Sequence, residues 1–212
     1  MTPLITLALL LGLLVGLPES SSAQTERKLK FQALTVGSGD TPISSGVSVA
    51  AHFAPPDESR FLEVMVQADS GWVAYGPQYT AGPVSGRALA TVGHIKGVPT
   101  VGPLLTASIP LGRARLTTSQ WVIMMGWKPH SYEKPVETDQ LIPNYLGGAG
   151  LGFGPITVSY YVMKYLAEPW NTLPGISYNG NIHKAFSLSS SMTWNSNTSR
   201  PMLFLGATWQ PQ

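Results

Sequence analysis

The clearest pattern along the chain is an alternation of apolar and polar residues. From Lys184 to Trp194 the even-numbered positions are mostly large and apolar, whereas the odd-numbered positions are small or polar. The same period of two appears over residues 47–53 and 61–69. A period of two places alternate side chains on opposite faces of an extended strand. Three β-strands are therefore predicted from the alternation alone.

Glycine and proline interrupt most of the remaining windows that could otherwise form a long helix. Apolar segments between these interruptions give further predicted strands, for a total of about ten. These segments are 29–36, 72–80, 84–94, 101–109, 114–127, 151–163 and 202–209. Two longer connections are expected at 128–147 and 164–181, and the other connections are expected to be tight turns.

Charge is scarce where a water-exposed sheet would need it. Only 11% of the residues are charged, against roughly 25% in typical soluble domains. No acidic residue occurs between Asp69 and Glu133, and aromatic residues such as Trp72, Trp170 and Trp209 lie near predicted strand ends. Apolar outer faces with aromatic girdles are typical of outer-membrane barrels. We predict an all-β fold, a small closed antiparallel barrel of about 8–12 transmembrane strands; the alternative is a secreted soluble β-barrel or β-sandwich.

The N-terminal segment differs from the rest. An apolar run from Leu4 to Leu17 precedes Ser21-Ser22-Ala23, which predicts a cleaved signal peptide over 1–23 and a single barrel domain over 24–212. The chain has no cysteine, so it must be stabilised without disulfides. Its formal charge of +2 comes from scattered basic residues, which argues against nucleic-acid binding. The predicted location is the outer membrane of a Gram-negative-type cell, with a secreted or periplasmic protein as the alternative.

A barrel of this size has a narrow interior that side chains fill or that holds one small ligand. In the predicted strand 114–127, Trp121, Ile123 and Met125 lie on one face and Val122 and Met124 on the other. Because both faces of this strand are apolar, the lumen is predicted to be an apolar slot. The predicted role is structural, or the binding or passage of a small apolar molecule. Membrane lipid is the expected partner, and the sequence leaves the oligomeric state open.

Chemistry-bearing residues are sparse. The four histidines, His52, His94, His130 and His183, are far apart and lack metal-ligand spacing, so neither a metal nor another cofactor is predicted. His52 with Asp69 and Ser70 is the one candidate catalytic group, with His52 as base. A simple hairpin turning near Pro55 would place His52 and Asp69 at opposite ends, so joint action requires an offset connection. Adjacent Asp69 and Ser70 would also need a bulge or loop to act together.

Four segments together resemble the lipid A palmitoyltransferases, which are small outer-membrane barrels with an acyl-chain slot. These segments are Ala51-His52-Phe53, Asp69-Ser70, Gly152–Val158 and Pro174–Asn181, and the resemblance extends over about a third of the chain that follows the signal segment. The resemblance implies catalytic roles for His52, Asp69 and Ser70 in acyl transfer to lipid. A lipid A acyltransferase-like enzyme is therefore the alternative function.

Overall fold

The computed structural model describes residues 29–126, 141–165 and 168–211. Twelve antiparallel strands form one closed barrel, in which each strand pairs with its neighbours in sequence and β1 pairs with β12. This architecture confirms the predicted fold class, and its strand count lies at the upper limit of the predicted range. The strands are β1 (Lys30–Asp40), β2 (Ser45–Ala54), β3 (Arg60–Gln67), β4 (Gly71–Ala81), β5 (Val84–Ile95), β6 (Val98–Leu111), β7 (Ala114–Gly126), β8 (Leu141–Phe153), β9 (Ile156–Lys164), β10 (Asn171–His183), β11 (Phe186–Asn195) and β12 (Arg200–Trp209).

The described residues contain no helix with the length and apolarity needed to cross a membrane. The predicted signal peptide and His130 lie outside the described residues. The signal peptide therefore stays a prediction.

The two ends of the barrel differ in their connections. At the turn end, residues 82–83, 112–113, 154–155 and 184–185 form two-residue turns, and 55–59 form a longer one. Strand β1 begins and strand β12 ends at this end. The loop end carries 41–44, 68–70, 96–97, 165–170 and 196–199, together with the connection 127–140. Outer-membrane barrels place short turns at the periplasmic side and longer loops outside, which gives the barrel its orientation.

The outer face of the wall is apolar. Strand β11 directs Phe186, Leu188 and Met192 outward, each at least 46% exposed, as its alternation predicted. The exposed outward side chains also include Val36, Val92, Leu105, Val158, Leu203 and Leu205. A closed barrel leaves no unpaired strand edge, and such an apolar band satisfies the hydrocarbon layer of a bilayer. These features agree with the predicted outer-membrane location.

Aromatic side chains lie near both ends of the outer face. Trp170 and Trp194 are exposed near the loop end, and Phe153, Phe186 and Trp209 near the turn end. Such girdles match the interfacial layers of a bilayer. The prediction for Trp72 was wrong, because this residue is only 9% exposed and faces the lumen. It pairs with Met65 of β3, which points to the same side of the wall as the lumen-facing Glu63 two positions away.

Two predicted loops are strand in part. Residues 128–147 and 164–181 include the first part of β8 and most of β10, and the predicted strand 151–163 is divided by a turn at Gly154-Pro155. Pro143 and Pro174 lie within these segments, and each proline removes only one donor from a ladder that is paired on both sides. The glycine-rich run from Gly147 to Gly152 is part of β8.

On the lumen face, strands β1 and β12 meet with little side-chain bulk. Gly37 pairs with Gly206, and the Thr35 and Thr208 hydroxyls are 2.9 Å apart on the lumen side. The ring of Phe204 occupies the space above Gly37, since a Cβ added at Gly37 would lie 2.1 Å from Phe204 Cζ. The first and last strands therefore join around one aromatic ring seated on glycine.

Candidate functional site

The lumen is divided into two unlike halves. Towards the loop end it is filled by an apolar plug consisting of Trp72, Ile95, Trp121, Ile123, Met125 and Leu173. All six side chains are at most 9% exposed, and Ile95, Met125 and Leu173 are fully buried. The apolar interior predicted from β7 is therefore present. It is packed solid at this level and does not form an open slot.

Two tryptophans form the centre of the plug. The rings of Trp72 and Trp121 lie 5.1 Å apart between centroids at an angle of 57°. Trp121 Nε1 donates to Thr91 Oγ1 at 3.0 Å, and Thr91 Oγ1 donates to the Gly102 carbonyl at 2.6 Å. Buried indole N–H groups require such acceptors. Hydrogen bonds to the wall thus hold the rings in place across the lumen.

A charged group lies next to the plug on the lumen side of β2 and β3. His52 pairs with Glu63 across the ladder, with Nε2 and Oε2 3.2 Å apart. The other oxygen of Glu63 accepts a hydrogen bond of 3.1 Å from Trp72 Nε1. The Glu63 side chain is 21% exposed, and a largely buried carboxylate is costly without partners. Here the imidazole and the indole provide them and connect the charged group to the plug.

Arg87 marks the beginning of the polar half. Its guanidinium carbon lies 3.6 Å from the centroid of the Phe61 ring, and its Nε donates to Gln78 Oε1 at 2.8 Å. The guanidinium also interacts electrostatically with Glu63. Cation–π contact and the one side-chain acceptor among the described residues leave other N–H groups of the fork able to bind an anion.

Below Arg87 the lumen opens into a vestibule of about 400 Å³ towards the turn end. Its wall is lined mainly by hydroxyl groups: Ser85, Thr106, Ser108, Thr117 and Ser119. A second cation, Arg115, lies near the turn end and donates to Ser108 Oγ at 3.0 Å. The vestibule therefore offers hydroxyls and guanidinium groups, which suit polar and anionic solutes.

Asp69 and Ser70 lie at the loop end, in the connection between β3 and β4. Asp69 Oδ1 accepts hydrogen bonds from Ser44 Oγ at 2.5 Å and from Ser70 Oγ at 2.9 Å. The backbone N–H of Lys96 donates to Ser70 Oγ at 3.2 Å. Burial raises the pKa of Asp69, but these two hydroxyls and the charge of Lys96 outweigh it, so the pKa lies below its usual value. The three connections 41–44, 68–70 and 96–97 are thereby joined.

The structure brings Asp69 and Ser70 together but leaves His52 apart. Asp69 is six positions beyond Glu63, the cross-strand partner of His52, and at roughly 3.3 Å per residue this is about 20 Å along the strand. The hairpin is simple, so the offset that joint action requires is missing. The three residues do not form a shared site in this structure, and a catalytic role for His52, Asp69 and Ser70 stays a prediction.

Glu63 is the partner of His52 that the sequence interpretation missed. The signal was available, because a hairpin turning over 55–59 pairs His52 with Glu63 on the lumen face. Among the described residues, no group of three His, Cys, Asp or Glu side chains could hold a metal ion.

Comparison with known proteins supports the fold and little more. No protein-family model matches the chain, and no curated protein matches its sequence. A structure titled KdgM porin superposes with a TM-score of 0.54 at 9% identity and covers 86% of this chain and all of the other. The same porin in complex with disordered oligogalacturonate gives the same values. The NanC porin gives 0.54 at 7% identity, with 85% of this chain and all of the other covered. The resemblance to lipid A palmitoyltransferases is thus supported only at the level of an outer-membrane barrel.

Proposed function

We propose that this outer-membrane barrel binds and passes small hydroxylated anions, with the vestibule as binding site and the apolar plug as gate. The observation that carries the proposal is the contrast between the two halves of the lumen. One half is lined by hydroxyls and arginines, and the other is sealed by apolar side chains. Hydrophobic constrictions gate conduction by excluding water. The plug closes the lumen here, so conduction requires its side chains to move.

The vestibule favours an anion with hydroxyls over an apolar molecule. Serine and threonine hydroxyls would lose their hydrogen bonds to water if an apolar ligand covered them, whereas a sugar acid would replace those bonds. Arg87 and Arg115 supply cations from opposite ends of the vestibule. Oligogalacturonate, found with one barrel of this fold, carries both hydroxyls and carboxylates. The passage of a small apolar molecule, predicted from the sequence, has no comparable support in this lining.

The test is electrical recording of the purified barrel in planar bilayers, with galacturonate and the neutral sugar galactose as solutes. We expect current that favours anions and is reduced by galacturonate more than by galactose. Arg87→Gln and Arg115→Gln should each weaken both effects, whereas Lys184→Gln in an exposed turn should leave them unchanged. A barrel that neither conducts nor binds galacturonate, or that responds equally to both sugars, would show the proposal to be wrong.

A further inference from the structure

One carboxylate lies between the vestibule and the plug. Glu63 is on the lumen face of β3, two positions from Phe61 and about 7 Å from it along the strand. Arg87, which lines the vestibule, places its guanidinium carbon 3.6 Å from the centroid of the Phe61 ring. Glu63 is therefore close to the cation of the proposed solute site as well as to the plug.

Both oxygens of Glu63 have partners outside the vestibule. Oε1 accepts a hydrogen bond of 3.1 Å from Trp72 Nε1, and Oε2 lies 3.2 Å from His52 Nε2. The Trp72 ring in turn packs against Trp121, with 5.1 Å between the ring centroids. A shift of the Glu63 carboxylate would leave the Trp72 indole N–H without this acceptor, and an unpartnered buried donor is costly. The position of Trp72 in the closed plug therefore depends on Glu63.

Arg87 is shared between Glu63 and any anion in the vestibule. The guanidinium and the Glu63 carboxylate attract each other. A solute carboxylate bound to Arg87 would add a second negative charge near the first, and like charges at this range repel each other. The bound solute therefore favours displacement of Glu63 from its contact with Trp72.

We propose that Glu63 couples the solute site to the plug, so that an anion bound at Arg87 favours opening of the lumen. This inference rests on the proposed function, because it requires the anion site in the vestibule. Glu63 is a positioning residue, which acts on Trp72 and Arg87 without contacting the solute. Coupling between two sites is reciprocal, so the open plug must also bind the anion more tightly than the closed plug.

The experiment compares the full barrel with Glu63→Gln, whose amide oxygen can still accept from Trp72 although the charge is lost. Equilibrium dialysis of radiolabelled galacturonate measures binding in detergent micelles, and planar bilayers at constant ionic strength give the frequency of openings. In the wild type, galacturonate should raise this frequency at least about fivefold, whereas galactose should not. Glu63→Gln should bind galacturonate at least about fivefold more tightly, and its openings should no longer depend on the solute.

Two further variants separate the charge of Glu63 from its contact with the plug. Glu58 also interacts with Arg87 but is exposed in the turn 55–59, so Glu58→Gln should change binding less and leave the response of the openings intact. Trp72→Phe keeps a ring without the bond to Glu63, so it should still bind galacturonate while its openings no longer respond. Heat-dependent gel mobility checks that each variant is folded.

The outcomes distinguish this inference from the proposed function. Absence of galacturonate binding by the wild type would overturn both. Equally tight binding by the wild type and Glu63→Gln, or wild-type openings that do not respond to bound galacturonate, would overturn the coupling and leave the solute site in place. An equal gain of affinity in Glu58→Gln would overturn the assignment of the effect to Glu63.

Discussion

Replacing Trp121 by alanine tests whether the plug is packed as described. The side chain is 5% exposed and contacts Trp72 across the lumen. A tryptophan buries roughly 150–250 Å², which at about 25 cal/mol per Å² corresponds to about 4–6 kcal/mol as an upper limit. Measured truncations of buried aromatics cost about 3–5 kcal/mol. We expect Trp121→Ala to lower the free energy of unfolding by about 3–5 kcal/mol and to raise the conductance.

Two milder variants separate the contribution of the Trp121 hydrogen bond to stability from the contribution of its side-chain volume. Trp121→Phe keeps a ring but loses the bond to Thr91, and Thr91→Val leaves the indole N–H without its acceptor. A double-mutant cycle of these two changes should give a coupling energy of about 1 kcal/mol. Neither variant should raise the conductance as far as Trp121→Ala does.

The assay is reversible urea unfolding of the barrel in lipid vesicles, followed by tryptophan fluorescence and gel mobility, with conductance recorded on the same preparations. Trp194→Ala is the control for conductance, since Trp194 faces outward and is 47% exposed. If Trp121→Ala costs less than about 1 kcal/mol and leaves the conductance unchanged, the plug does not close the lumen and the reasoning fails.

Two further predictions concern the wall and the loop end. A Cβ at Gly148 would lie 2.2 Å from the Tyr160 carbonyl oxygen, whereas at Gly150 the nearest atom, at 2.8 Å, belongs to a side chain. Gly148→Ala should therefore destabilise the barrel by about 1–3 kcal/mol and Gly150→Ala by less, as measured by urea unfolding, and the reverse order would contradict the close packing. Because its pKa is lowered on folding, Asp69 stabilises the loop end at neutral pH, and this contribution should be lost as the pH falls below about 4. The protection factor for hydrogen exchange at the Ser44 amide, corrected for the intrinsic rate at each pH, should fall over that range, and Asp69→Asn should remove this pH dependence; an unchanged profile in Asp69→Asn would assign it to another group.

The alternation of side chains was sufficient to predict the fold but not all of its strands. β2, β3 and β11 alternate regularly, and each was found from its pattern. β8 and β10 contain prolines and glycines that elsewhere interrupt strands. In this barrel, glycine allows close approach: a Cβ at Gly148 would clash with β9. Local rules assign such residues to loops because they do not include the neighbouring strand.

The sequence predicted only those contacts of the candidate site that form within a single hairpin. His52 was identified, and its partner Glu63 follows from the pairing of β2 with β3. The contact between Trp72 and Trp121 joins β4 with β7 and exists only after the sheet has closed. Pairing that depends on closure leaves no periodic signal in the sequence.

The packing of the Phe204 ring against Gly37 has a consequence for the assembly of the barrel. The closing pair joins strands at the two ends of the described chain, so no hairpin turn sets its alignment. On the lumen face of this pair, Gly37 lies opposite Gly206 and Thr35 opposite Thr208, so the ring of Phe204 is the bulky side chain there that distinguishes one alignment from the next. On the outer face, the rings of Phe31 and Trp209 add a contact of 5.6 Å between centroids. A slip of one position would turn the Phe204 ring towards lipid and the outward leucines of β12 towards the lumen. The Phe204 ring therefore helps to fix the register in which β1 and β12 pair when the barrel closes.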